Sequence, residues 1–176
     1  SPVRLSELER LLAAEGGGCQ RRGSDLALDA LAIDSRRVTP GCLFAALPGS
    51  RQDGRAFIPA ALAAGAVALL LPAGSEPPAG VAALLCAEPR RAVGLIAQRL
   101  AGDPAQRLAL LGVTGTNGKT SSALLLQALM GGADRWGVLT TIHVQAGGAP
   151  APATHTTPDP LSLGRLLADG VAAGLA

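Results

Sequence analysis

Aromatic residues are nearly missing from this chain: among 176 residues there are two phenylalanines (Phe44 and Phe57), one tryptophan (Trp136) and no tyrosine. A chain so short of rings has no stacking platform for single-stranded nucleic acid, and its core has to be built from Leu, Val, Ile and Ala. Net charge is slight as well, at +2, too small to point to a polyanionic partner. Long apolar runs are lacking. The longest, "AALAAGAVALLLPAG", is too short and too broken by glycine to span a bilayer. No basic start followed by an apolar stretch marks a secretory signal. A soluble cytoplasmic protein, monomeric and without nucleic-acid or membrane partners, is therefore expected. Cysteine is sparse: Cys19, Cys42 and Cys86 lie far apart without metal-ligand spacing and are expected to be ordinary reduced thiols. The scarcest charged residue is lysine, with Lys119 alone among many arginines.

What is present is an apolar, folding-competent sequence: 48% of residues are hydrophobic, which excludes a disordered tail. "LSELERLLAAEGGG" places Leu5, Leu8, Leu11 and Leu12 on one helical face, with Ser6 as N-cap and the glycines as a stop. Strands are expected in "LALDALAIDS", "CLFAALPG" and "VAALLC" and from Ala66 to Leu71. Helices are expected in the stretch before Gly65 and in "EPRRAVGLIAQRLAG". These elements make a small mixed α/β domain over residues 1–102, followed by a linker, "GDPAQRL". From residue 108 the pattern changes. "LALLGV" is continuously apolar, as suits a parallel strand covered on both faces. A glycine turn, a helix in "SSALLLQALM", a strand in "WGVLTTIHV", a long Pro/Gly/Ala loop and a last helix follow to residue 176. Strand–helix–strand–helix order predicts the start of a P-loop-type parallel α/β domain. Two strands and two helices leave such a sheet poorly covered, so this second domain is expected to be incomplete and the chain a portion of a longer polypeptide. Trp136 is expected in its core, and His143 as a packed or edge residue rather than a ligand.

The junction "TGTNGKT" explains the lone lysine. Where a strand turns through glycines into a helix, backbone N–H groups converge on the positive end of the helix dipole, which favours phosphate. Lysine supplies a mobile point charge for the outer phosphates, and the hydroxyl after it can ligate Mg²⁺. Gly115, Thr116, Asn117, Gly118, Lys119, Thr120 and Ser121 form the candidate loop. The spacing departs from GxxxxGK[ST]: that pattern requires glycine at 113, where this chain has Val113 and a glycine one place early. The plain alternative is a strand-to-helix turn that merely contains a lysine.

"GVTGTNGKTSS" closely resembles the ATP-binding loop of the Mur ligases. Two further blocks carry the resemblance across the chain. "IDSRRVTPGCLFAALPGSRQDGRAFIPAALAAGAVALLL" is similar to the uridine-binding N-terminal domain shared by the branches of that family that add the third residue and the terminal dipeptide, and "THTTPDPLSLGRLL" is similar to a loop and helix of its MurE type, the branch that adds the third peptide residue. The resemblance implies an ATP- and Mg²⁺-dependent ligase that joins an amino acid (diaminopimelate or lysine) to UDP-MurNAc-L-Ala-D-Glu through an acyl phosphate. Lys119 would act on the transferring phosphoryl group and Thr120 towards the metal. Ile33 and Ser35 match positions at the uridine end of the substrate, and Ser50, Arg51 and Gln52 match a loop beside it. Thr156 and Thr157 match hydroxyls that hold the muramoyl-dipeptide, with His155 where the family usually has asparagine.

Simpler structural roles stand beside these. Asp34 and Ser35 can cap a turn, leaving Arg36 and Arg37 solvated. The stretch 156–159 can start a helix, with Pro160 in its first turn; a capping loop can also present hydroxyls, so the two roles are compatible. Outside this reading lie a ligase that adds the terminal dipeptide, as in the MurF type, and a non-catalytic module that binds a nucleotide or UDP-sugar.

Overall fold

The computed structural model describes residues 2–49, 53–140, 142–146, 151–152 and 158–175. The chain divides into two compact units, Ser1–Leu100 and Ala101–Ala176.

The first unit runs β1 (Val3–Arg4), α1 (Leu5–Ala14), β2 (Cys19–Arg22), β3 (Ala27–Leu28), β4 (Ala30–Ala32), β5 (Cys42–Ala45), α2 (Ile58–Ala63), β6 (Ala68–Pro72), β7 (Ala82–Cys86) and α3 (Pro89–Leu100). A five-stranded sheet in the order β2-β7-β6-β5-β4 is its centre. Four of its strands are parallel, and β2 closes one edge antiparallel to β7. The parallel strands "CLFA", "ALLLP" and "AALLC" are apolar almost without interruption because helices cover both faces. On one face Phe44, Leu69, Leu71, Ala83 and Leu85 pack with Ala61 of α2. Strand alternation turns Leu43, Leu70 and Leu84 to the other face, where α3, which packs against β4, β6 and β7, and α1, which packs against α3, bury Val93, Ile96, Leu5, Leu8 and Leu12. Arg99 of α3 forms an ion pair with Glu7 of α1.

Three local expectations change here. The N-cap of α1 is Arg4, whose side chain makes no capping bond. Capping is supplied from 19 residues away: the Asp25 carboxylate accepts the Ser6 N–H at 2.9 Å and the Ser6 hydroxyl at 3.0 Å. The single strand expected in "LALDALAIDS" is two, because β3 pairs antiparallel with β1 and the chain crosses at Asp29 to bring β4 into the main sheet. Cys19 and Cys86 are not separate thiols. The β2–β7 register sets them directly opposite, with Cα atoms 4.2 Å apart, and they form a disulfide. A sequence separation of 67 residues hid this pairing. Cys42 is free and buried.

In the second unit, a 3-10 turn (Pro104–Gln106) precedes α4 (Lys119–Leu129), β8 (Val138–Leu139), β9 (His143–Gln145), β10 (Ala151–Pro152) and α5 (Pro160–Ala172). The α/β class holds for the chain, but the strand expected at 108–113 pairs with nothing among the described residues, and Leu110 and Leu111 are more than half exposed. A parallel strand needs a ladder on its flanks to satisfy its amides, and no described strand lies beside this one. The strand expected at 136–144 is folded back on itself. Thr140 Oγ1 accepts the Ile142 N–H at 3.3 Å, and β8 and β9 pair antiparallel in a small sheet ordered β10-β9-β8. A hydroxyl bonding two residues along competes with a continuous ladder. Trp136 is half-buried rather than enclosed in a core. His143 has its backbone in the middle strand of that sheet. The last helix matches expectation: Pro160 opens it and Asp159 caps it, accepting from the Leu161 and Ser162 amides at 3.0 and 3.1 Å.

Candidate functional site

The glycine turn ends at Gly118, the N-cap of α4, with φ +78°. Left-handed backbone at that point costs a residue with a Cβ about 1–2 kcal/mol and costs glycine nothing. Glycine also brings no side chain to cap the helix, and none does so. The first-turn amides, which no α-helix satisfies internally, receive no side-chain cap. Lys119, the first residue of α4, folds its side chain back along the loop: Nζ donates to the carbonyl of Gly115 at 2.5 Å and to that of Thr116 at 3.4 Å. An ammonium thus sits over the turn, held by the turn's own carbonyls. Thr116 through Ser121 all line one hollow of about 640 Å³, with Gly115 behind them as the lysine's acceptor. Leu111, Val113, Leu126 and Met130, all exposed, and half-buried Trp136 line the same hollow. Polar and positive groups beside exposed apolar side chains suit an anion carrying a flat, weakly polar body.

For a nucleotide triphosphate these residues fit: uncapped amides, a mobile cation, and the hydroxyls of Thr120 and Ser121. For Mg²⁺ the chain offers the Thr120 hydroxyl, and among the described residues no cluster of three or more His, Cys, Asp or Glu could hold a metal by itself. Mg²⁺ bound to nucleotides takes most of its ligands from phosphate and water, so one protein hydroxyl is compatible with it.

A second hollow, of about 530 Å³, lies in the first unit where parallel β4 and β5 end. Crevices at the carboxyl ends of neighbouring parallel strands are the usual ligand positions of open α/β sheets. The structure brings Ile33 and Ser35 together here, with Asp34, Arg36, Leu47 and Phe57. Ile33 and Phe57 are each 37% exposed, large apolar side chains kept at the surface of the cleft. Asp34 caps the 3-10 turn Ser35–Arg37 through the Arg36 N–H at 3.0 Å and grips the Arg36 guanidinium at 2.6 Å. Arg36 is therefore both paired and solvated, its side chain 86% exposed. The side-chain hydrogen bond from Arg36, helped by the backbone one, lowers the Asp34 pKa from 3.8 to about 2. Asp53 repeats the arrangement on the 3-10 turn Gly54–Phe57, bonding the Arg55 amide at 2.9 Å and its guanidinium at 2.5 Å. Its pKa is also lowered, first by the Arg55 side chain. Sequence reasoning missed Phe57, Gly54 and Leu47 at this cleft. A signal was there: Asp34-Ser35-Arg36 and Asp53-Gly54-Arg55 are the same D-x-R turn twice.

Ser50, Arg51, Gln52, His155, Thr156 and Thr157 lie outside the described residues. No helix among the described residues is long and apolar enough to cross a membrane.

Comparison with known proteins gives matches over both units. Residues 27–98 match a family model described as "Mur ligase family, catalytic domain", and residues 113–175 match "Mur ligase middle domain". The chain is 45% identical over 148 residues to the UDP-N-acetylmuramoyl-L-alanyl-D-glutamate–2,6-diaminopimelate ligase of Pseudomonas aeruginosa, covering 82% of this chain and 30% of that protein. It is 42% identical over 177 residues to the protein of the same name from Ectopseudomonas mendocina, covering 98% and 34%. A solved structure of a UDP-N-acetylmuramoyl-L-alanyl-D-glutamate–2,6-diaminopimelate ligase superposes with a TM-score of 0.65 at 30% identity, over 85% of this chain and 30% of its own. The chain spans about a third of the length of the curated relatives it matches.

Proposed function

The chain belongs to the Mur ligase family, and on that premise we propose that it supplies the nucleotide-sugar-binding and phosphate-binding parts of an ATP-dependent amide-bond ligase of peptidoglycan-precursor synthesis. The enzyme acts in the cytoplasm as a monomer and joins 2,6-diaminopimelate to UDP-MurNAc-L-Ala-D-Glu. The names of relatives 42–45% identical to this chain support the choice of the third-residue reaction over addition of the terminal dipeptide or a purely binding role.

Residues 1–102 take the UDP end of the substrate in the β4–β5 cleft, with Ile33 against the base and Ser35 as a hydrogen-bonding hydroxyl; Ser50, Arg51 and Gln52 belong to the same end. Residues 108–176 begin the ATP-binding domain, and His155, Thr156 and Thr157 hold the muramoyl-dipeptide. The loop Gly115–Ser121 would hold the phosphates of ATP, and the Thr120 hydroxyl would hold Mg²⁺. Transfer of the γ-phosphoryl group to the substrate carboxylate gives an acyl phosphate and ADP. The incoming amino group then attacks that carbonyl, and phosphate leaves. Protein groups contribute position and charge rather than covalent help.

The observation that carries this reading is the uncapped start of α4 with Lys119 folded over its glycine turn. Exchanging two carbonyl acceptors for phosphate oxygens lets Lys119 neutralise charge that grows in the transition state. Lys119→Ala in the enzyme containing this chain is expected to lower kcat by about a hundredfold or more, while the Kd for UDP-MurNAc-L-Ala-D-Glu stays within about twofold of the parent. Equal loss of both would remove the assigned role.

A further inference from the structure

The wall of the β4–β5 cleft formed by Leu47 and Gly54 is the neck of a surface loop. Gly54 donates its N–H to the Leu47 carbonyl at 2.9 Å, and one residue further out Pro48 and Asp53 form an antiparallel bridge. The neck is closed as tightly as backbone allows: a Cβ on Gly54 would stand 2.5 Å from the Leu47 oxygen and 2.7 Å from the Leu47 nitrogen. Asp53 stiffens the inner side by holding both the amide and the guanidinium of Arg55. On the outer side one side chain from a distant element reaches in. Arg90, in the first turn of α3, donates through Nη2 to the Pro48 carbonyl at 2.7 Å across 42 residues of sequence. Pro48 follows Leu47 directly, and proline's fixed φ leaves little slack between them.

We propose that Arg90 is a positioning residue for nucleotide binding: by pinning Pro48 it holds the Leu47–Gly54 wall in the conformation that shapes the cleft. This rests on the reading that the cleft takes the uridine end of the substrate. Arg90 does not line the cleft itself, so it changes affinity through the wall and not by contact. The link is an exposed hydrogen bond, of the kind that modulates a site rather than holding up a fold.

The test uses the intact enzyme with UDP and UDP-MurNAc-L-Ala-D-Glu as probes. For Arg90→Ala the Kd for UDP is expected to rise about three- to tenfold, the effect of one net hydrogen bond. KM for the UDP-substrate rises in step, while kcat at saturation and KM for ATP keep their parental values. Arg90→Lys, which restores a donor, recovers most of the loss. Gly54→Ala, which forces the neck apart directly, weakens UDP more than Arg90→Ala does, again without moving KM for ATP. If the parent enzyme binds UDP and Arg90→Ala binds it equally well, the positioning role is overturned while the cleft reading survives. If UDP and ATP affinities fall together, the arginine serves general stability and the proposal is overturned. If the parent enzyme does not bind UDP, the cleft reading falls and the proposal with it.

Discussion

Reducing the Cys19–Cys86 disulfide should unfasten one edge of the main sheet, and the effect is large enough to measure. β2 is an edge strand of four residues whose outward positions are polar, so little apolar burial holds it. Besides its ladder to β7 it is tied by the Glu9 carboxylate, which accepts the Arg21 amide at 2.8 Å. The covalent link closes a loop of 67 residues, for which chain-entropy reasoning gives about 4 kcal/mol relative to the reduced, unfolded chain. With a urea slope of roughly 1.5–2 kcal/mol per molar for a unit of this size, the midpoint should fall by about 2–3 M on reduction or in Cys19→Ser. Far-ultraviolet circular dichroism is the suitable probe, because the single tryptophan, Trp136, lies in the second unit. Alkylation after denaturation supplies the count: one modified cysteine without reductant and three with it. Cys42 is the internal control, fully buried with its thiol pKa raised by that burial. Alkylation of all three cysteines without reductant, or a midpoint shift below about 0.5 M, would refute the reasoning from register to stability.

Two other predictions concern the sites. The Asp34 carboxylate has its pKa depressed from 3.8 to about 2, so the stabilisation of its turn is complete above the unfolded value and is lost as pH falls through the folded one. Carboxyl chemical shifts followed by NMR should place the Asp34 midpoint near 2, moving back towards the ordinary range in Arg36→Ala. An Asp34 midpoint near 4 would discard the ion pair. At the phosphate loop, Gly118→Ala forces a Cβ onto left-handed backbone at φ +78°, costing about 1–2 kcal/mol. Affinity for a non-hydrolysable ATP analogue should fall about tenfold or more while UDP affinity is kept, and unchanged analogue affinity would argue against the loop as the phosphate cradle.

Much of the chain was legible residue by residue because the relevant physics is local. A left-handed glycine before a helix, a lysine one residue on, an Asp–Pro helix start and the Leu5/Leu8/Leu12 stripe are each set by neighbours within one or two turns. The apolar runs of β5, β6 and β7 were likewise legible as strands, although their parallel pairing was not. Tertiary structure alone decided what depends on distant partners: Asp25 capping α1, Cys19 meeting Cys86 through strand register, Arg90 reaching Pro48, and Phe57 standing in the β4–β5 cleft. It also left residues 108–113 without a ladder among the described residues, since hydrophobic pattern states that a strand can be buried while only a neighbouring strand can satisfy its amides. Sequence encodes propensity and contact along the chain; pairing across it exists only once the sheet has assembled.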